Sequence, residues 1–60
     1  MREKNYIVKA LEIEEAALRH ARDCYDYYNQ TGDLEMAGVM KEIEEDERSH
    51  VKMLKELLSH

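Results

Sequence analysis

Glu47-Arg48-Ser49-His50 is the stretch of this 60-residue chain from which the fold can be predicted. In a helix, Glu47 and His50 are three residues apart and project from the same face. A carboxylate and an imidazole in a buried apolar seam destabilise a fold unless a partner satisfies them. The pair therefore predicts a polar site inside a helical core. The face is otherwise apolar, with Met36, Met40, Ile43, Leu54 and Leu57 at spacings of three and four around the pair.

The first half of the chain contains a second polar intrusion of the same kind. Glu14 takes the slot between two leucines of a stripe made of Ile7, Leu11, Leu18, Ala21, Tyr25 and Tyr28. Carboxylates and imidazoles are common ligands of divalent metals, so we expect Glu14, Glu47 and His50 to be metal ligands. The alternative is a buried polar network that fixes helix register without a metal.

The hydrophobic periodicity predicts two helices and no strand. Helix A runs from about residue 3 to about 29, a turn covers 30–33, and helix B runs from about 34 to about 58. Gly32 suits the left-handed position that closes a helix, and Asp33 is a good N-cap for the next one. A link this short predicts an antiparallel hairpin.

This hairpin brings the three candidate ligands to one level. Glu14 lies about 17.5 residues before the centre of the turn, and the midpoint of Glu47 and His50 lies about 17 residues after it, roughly 26 Å along the helices in both cases. One hairpin leaves its inner face half open to water, so we expect a twofold homodimer that forms a four-helix bundle. The dimer would hold two copies of each ligand, which is the ligand set of a carboxylate-bridged two-metal centre.

The composition restricts the partners and the compartment. Nine basic against fourteen acidic residues give a formal net charge of −5, which argues against nucleic acids and anionic membranes as partners. No apolar run approaches the roughly 18–20 residues that span a bilayer, and no signal peptide is expected. The single cysteine, Cys24, favours a reducing compartment, so we expect a cytoplasmic protein. A core this small favours stabilisation by oligomerisation or by a metal.

Residues 10–14 with Ala17, residues 33–36 and residues 43–54 resemble segments of the rubrerythrin type of ferritin-like protein, and the similarity as a whole extends over about residues 7–58. The resemblance implies a ferritin-like four-helix bundle with a di-iron site. Glu47 would bridge the metals, Glu14 would be a terminal or second bridging ligand, and His50 would cap each iron. Glu44 flanks the seam and would assist from outside the coordination sphere, or admit iron to the site. The segments are Ala10-Leu11-Glu12-Ile13-Glu14 followed by Ala17, then Asp33-Leu34-Glu35-Met36, and Ile43-Glu44-Glu45-Asp46-Glu47-Arg48-Ser49-His50-Val51-Lys52-Met53-Leu54.

The chain also departs from that family's pattern. Family members usually carry two such hairpins in one chain, whereas this sequence has one. Ala17 stands where rubrerythrins often have a further carboxylate, so the ligand set is closer to that of a bacterioferritin-like ferroxidase centre. The sequence has no Cys-x-x-Cys pair of the kind that a rubredoxin domain carries. Electrons for peroxide reduction would therefore come from a separate donor protein.

These observations lead to one expected function and two alternatives. We expect a homodimer with two iron ions, or manganese or zinc in their place, acting as a ferroxidase-like or peroxidase-like oxidoreductase. The first alternative is a module that sequesters metal without turnover, and the second is a metal-free helical dimerisation domain. Assembly of the dimers into a higher oligomer stays open.

Overall fold

The computed structural model describes residues 3–60. Within those residues it contains two α-helices and no strand; α1 is Lys4–Thr31 and α2 is Leu34–Leu58. Glu14 of α1 contacts His50 of α2, so a residue far before the turn meets one far after it, and the helices are antiparallel. The described chain is an elongated hairpin of 49 × 14 × 11 Å. The predicted all-helical hairpin is confirmed.

The link between the helices is two residues long. Gly32 closes α1 with a φ of 84°, and the Asp33 side chain accepts a hydrogen bond from the Met36 backbone N–H at 3.1 Å. Both capping roles agree with the prediction. The first helix continues to Thr31 instead of ending at about 29, and the Thr31 hydroxyl donates to the Tyr28 carbonyl at 3.2 Å. So short a link fixes the register of one helix against the other.

Only small apolar side chains are fully buried between the helices. Within the described part of the chain they are Ala21 on α1 and Ala37 and Val51 on α2. The larger apolar residues of both stripes remain half-buried or exposed. A two-helix hairpin therefore has a thin core, because each helix has a neighbour on one side only.

The seam on α2 differs from the predicted one. Ile43 and Leu57 are expected inside it but are 41% and 36% exposed, and the His50 side chain is 48% exposed. The buried positions are Ala37 and Val51 instead. The sequence did not predict burial at Ala37 and Val51, whereas the exposure of Ile43 and Leu57 agrees with an inner face that one hairpin leaves half open, because the apolar stripe of α2 is wider than the strip that α1 covers. The first helix packs against the edge of the stripe that carries the two smaller side chains.

The uncovered edge of that stripe is a surface that we call the open face and that comprises Val39, Ile43, His50 and Leu57. The last three recur every seven residues and Val39 lies four residues before Ile43, so all four share one side of α2. The three apolar members are 43%, 41% and 36% exposed. A strip of apolar side chains left in water is a surface suited to association with another helix.

Charged residues make up 38% of the chain. Over the part of the chain that the structure describes, neither helix combines the length and the apolarity needed to cross a bilayer.

Candidate metal centre

The two helices bring Glu14, Glu47 and His50 together. One potential ligand atom from each residue lies within 4.8 Å of the other two. Glu14 comes from the middle of α1, while the other two come from consecutive turns of α2. The convergence follows from the register that the turn imposes, as the residue count predicts. Their role as metal ligands stays a prediction.

One nitrogen of the His50 imidazole lies near both carboxylates. His50 Nδ1 lies 3.3 Å from Glu47 Oε1 and 3.8 Å from Glu14 Oε2. The exposed fractions of the three side chains increase from 17% for Glu47 through 29% for Glu14 to 48% for His50. The three donor residues therefore extend from the seam, where Glu47 lies, to the open face, where water or another protein surface can reach His50.

In the absence of a metal, Glu14 disfavours the ionised form of Glu47. A hydrogen bond with Glu14 raises the pKa of Glu47 above its usual value of 4.5, and desolvation and the negative charge of Glu14 raise it further. The charge and hydrogen bond of His50 lower this pKa and offset part of the rise. Two carboxyl groups form a hydrogen bond only when they share a proton. A divalent cation would take the place of that proton and neutralise both groups.

The donor chemistry fits a divalent first-row metal. Two carboxylates and one imidazole suit iron, manganese or zinc, and the set contains no thiolate or thioether that would favour a softer ion. One hairpin supplies three donors. A two-metal centre of the helical-bundle type uses four carboxylates and two imidazoles, which is twice this set.

Glu44 lies outside this group of donors. Its side chain is 17% exposed, and its carboxylate pairs with the guanidinium of Arg48, one turn later in α2. The sequence predicts this ion pair from the spacing of four residues. The arrangement satisfies a half-buried carboxylate that would otherwise add negative charge beside Glu47. An assisting role for Glu44 stays a prediction.

One further pair was not predicted from the sequence. His20 Nε2 and Cys24 Sγ lie 3.5 Å apart on α1. The spacing of His20 and Cys24 could have predicted this contact, because residues four apart are neighbours on a helix surface. Neither residue belongs to the donor group of Glu14, Glu47 and His50.

Comparisons of this chain with protein-family models, with curated proteins and with solved structures found no match. The resemblance to rubrerythrin-type proteins therefore stays a prediction that rests on the quoted segments alone.

Proposed function

We propose that this chain is one half of a homodimeric di-iron carboxylate protein that acts in Fe(II) oxidation or in the reduction of peroxide or dioxygen. The observation that carries the proposal is the convergence of Glu14, Glu47 and His50 within 4.8 Å from two different helices. Each copy would contribute these three residues to a centre that holds two metal ions. The ferritin-like four-helix bundle would be formed by two hairpins joined at their open faces.

The charge of the donor group supports a cation at this position. Four carboxylates in the dimer carry up to four negative charges, and two divalent cations balance them. Without cations, a hydrogen bond with Glu14, desolvation and the negative charge of Glu14 together raise the pKa of Glu47. A pair of ions would thus stabilise both the centre and the association of the two copies.

The apolar surface around the group supports dimerisation. Ile43 and Leu57 lie seven residues before and after His50 on the same side of α2, and both are more than a third exposed. A twofold interface through this side would bury both residues and bring the two donor groups near the symmetry axis.

The protein's part in the reaction would be to bind, orient and exclude water. Glu47, the least exposed of the three, is suited to bridge the ions, while Glu14 approaches from the facing helix. His50 is the donor nearest to solvent and would cap an ion at the edge of the centre. Bound iron would supply the change between ferrous and ferric states and open positions for the oxidant. Reduction of peroxide would draw electrons from a separate donor protein.

The first test is the metal content of protein purified without chelator, measured on a fraction of known oligomeric mass. We expect about one iron or manganese per chain in a dimer. Anaerobic loading with Fe(II) followed by dioxygen or peroxide should then change the absorbance of the protein. His50→Ala should abolish both metal retention and this change, whereas Glu45→Gln, on the exposed side of α2, should retain both. A dimer that holds no metal and refuses added Fe(II) would contradict the proposal.

The same experiment separates oxidation from sequestration. Consumption of many equivalents of Fe(II) per dimer would show turnover. A single stoichiometric event followed by no further oxidation would identify a module that binds metal without catalysis.

One observation favours a metal-free candidate function. The raised pKa lets Glu47 take up a proton more readily in place of a cation, as in a helical dimerisation domain whose polar residues fix the register. In that case added metal would leave the unfolding temperature of the dimer unchanged. The metal-bound proposal expects the temperature to rise.

A further inference from the structure

The first helix carries a thiol and an imidazole side by side. His20 Nε2 and Cys24 Sγ lie 3.5 Å apart on consecutive turns of α1, because residues four apart are neighbours on a helix surface. His20 is exposed and Cys24 is half-buried, so an ion in solution can reach the pair. Cys24 is the single cysteine of the chain, and its thiol is free. The pair therefore offers two metal-binding atoms that no disulfide occupies.

The pair is separate from the donor group of Glu14, Glu47 and His50. His20 and Cys24 follow Glu14 by six and ten residues, which places them about 9 Å and 15 Å further along the helix axis. They are also turned by roughly 120° and 80° from Glu14 around α1, at about 100° per residue. Neither residue supplies any of the three atoms that converge within 4.8 Å. The two places thus have no ligand in common.

We propose that His20 and Cys24 bind a zinc ion through the imidazole nitrogen and the thiolate sulfur. Zinc holds a thiolate sulfur at about 2.3 Å and an imidazole nitrogen at about 2.0–2.1 Å, in tetrahedral geometry. Two such ligand atoms at the tetrahedral angle are about 3.6 Å apart. The observed 3.5 Å between Nε2 and Sγ matches this separation, so the two atoms need little movement to take the ion. The ion takes the place of the thiol proton, which is released to water.

The donor types distinguish this site from the first one. A thiolate is a soft ligand and suits zinc, whereas carboxylates suit harder ions such as manganese. The net charge of −5 favours the approach of either cation. Two protein ligands leave two positions of a tetrahedral zinc ion for water, so this site would exchange its ion readily. The chain would thus direct two classes of ion to two places.

The test is an anaerobic titration of the full chain with Co(II), a spectroscopic substitute for zinc. A thiolate bound to Co(II) produces a charge-transfer band in the near ultraviolet, which carboxylate and imidazole ligands do not produce. Because the chain has one cysteine, this band reports Cys24 alone. In Glu47→Gln, which lacks a ligand of the first site, we expect the band to reach full intensity at one Co(II) per chain. Excess Zn(II) should then remove it.

Three variants locate the ion. Cys24→Ser should abolish the band. His20→Gln should weaken Co(II) binding at least tenfold, since loss of even an outer partner of a metal ligand costs about 10–100-fold. His60→Gln removes an exposed histidine at the end of the chain and should leave the affinity within about twofold. Circular dichroism should show the wild-type helix content for all three variants.

Metal analysis of protein purified without chelator gives a second readout. Cys24→Ser should remove the zinc and retain the iron or manganese, while His50→Ala should do the reverse. The proposal does not rest on the proposed function, because the charge-transfer band requires neither the first site nor oxidation of Fe(II). Failure of the first site would leave the band in place, and failure of this one would leave Fe(II) oxidation in place.

Four results would overturn the proposal. The first is no charge-transfer band with Co(II). The second is an unchanged affinity in His20→Gln, which would mean that the thiolate binds without the imidazole. The third is full intensity at one ion per two chains, which would assign the ion to cysteines of two copies. The fourth is loss of the band in Glu47→Gln, which would place Cys24 at the first site.

Discussion

Replacement of Glu47 by glutamine should stabilise the metal-free protein at neutral pH and remove most of the stabilisation that a metal provides. In the metal-free state a hydrogen bond with Glu14 and desolvation raise the pKa of Glu47, and the negative charge of Glu14 raises it further, so the ionised pair is unfavourable at neutral pH. Glutamine has nearly the same shape, carries no charge, and can donate from its amide to the Glu14 carboxylate. In the metal-bound state the substitution removes one carboxylate ligand from each copy.

The size of the first effect follows from the geometry. The ligand atoms of Glu47 and Glu14 lie no more than 4.8 Å apart, and two unit charges at that upper limit repel by about 3.5 kcal/mol at an effective dielectric constant of about 20, and by about 0.9 kcal/mol in water. The side chains of Glu47 and Glu14 are 17% and 29% exposed, so water screens much of the repulsion. We expect a gain of about 1 kcal/mol, which raises the Tm of a domain this small by roughly 4–8 °C.

The second effect has the opposite sign and is larger. A metal present at about 100 times its Kd stabilises the wild-type protein by about 2.7 kcal/mol. The Glu47→Gln variant should gain little from the same addition. Glu47→Gln should thus be more stable than the wild-type protein in chelator and less stable than it in the presence of the metal.

Thermal unfolding by far-UV circular dichroism measures both effects at one fixed protein concentration. Mn(II) is a suitable ion because it does not start Fe(II) oxidation chemistry. Glu45→Gln is the matched control, and it should show the wild-type increase on adding metal. The reasoning is refuted if Glu47→Gln lowers the metal-free Tm, or if it keeps the full metal-dependent increase.

Three further results are expected. Because folding raises the pKa of Glu47, this residue stabilises the fold below pH 4.5, and the stabilisation is lost as the pH rises through the raised pKa. The free energy of unfolding, measured by urea titration in chelator, should fall over this pH range, and Glu14→Gln should make the fall smaller. Ile43→Glu should convert dimers to monomers in sedimentation experiments, whereas Val8→Glu, at a similarly exposed apolar residue of α1, should not; dimeric Ile43→Glu would argue against the open face as the interface. Gly32→Ala should cost about 1 kcal/mol in chemical denaturation, because φ at this position is 84°; no loss would mean that the turn relaxes freely.

The sequence predicts the features of this fold that depend on local chemistry or on counting. Gly32 and Asp33 close and open helices by their own backbone and side-chain properties, and they do so here. The juxtaposition of Glu14, Glu47 and His50 follows from equal distances to the turn, because a helix advances by a constant amount per residue.

The side of α2 that meets α1 could not be predicted in the same way. Periodicity locates the centre of an apolar stripe, and on α2 that centre lies near Met40, Glu47 and Leu54. The stripe is wide enough for more than one neighbour, and its pattern does not reveal which neighbour covers which edge. The hairpin covers the edge with Ala37 and Val51, and leaves Ile43 and the other open-face residues exposed.

The two-residue link restricts how this chain can change in length. An insertion of one residue in α1 between Glu14 and Gly32 would move that carboxylate about 1.5 Å along the axis and turn it by about 100°, away from Glu47. An insertion of seven residues restores the direction but leaves a displacement of about 10.5 Å, unless α2 gains seven residues between Asp33 and Glu47. Relatives that keep the centre but differ in length should therefore have insertions or deletions of about seven residues, or two helical turns, at matching places in both helices.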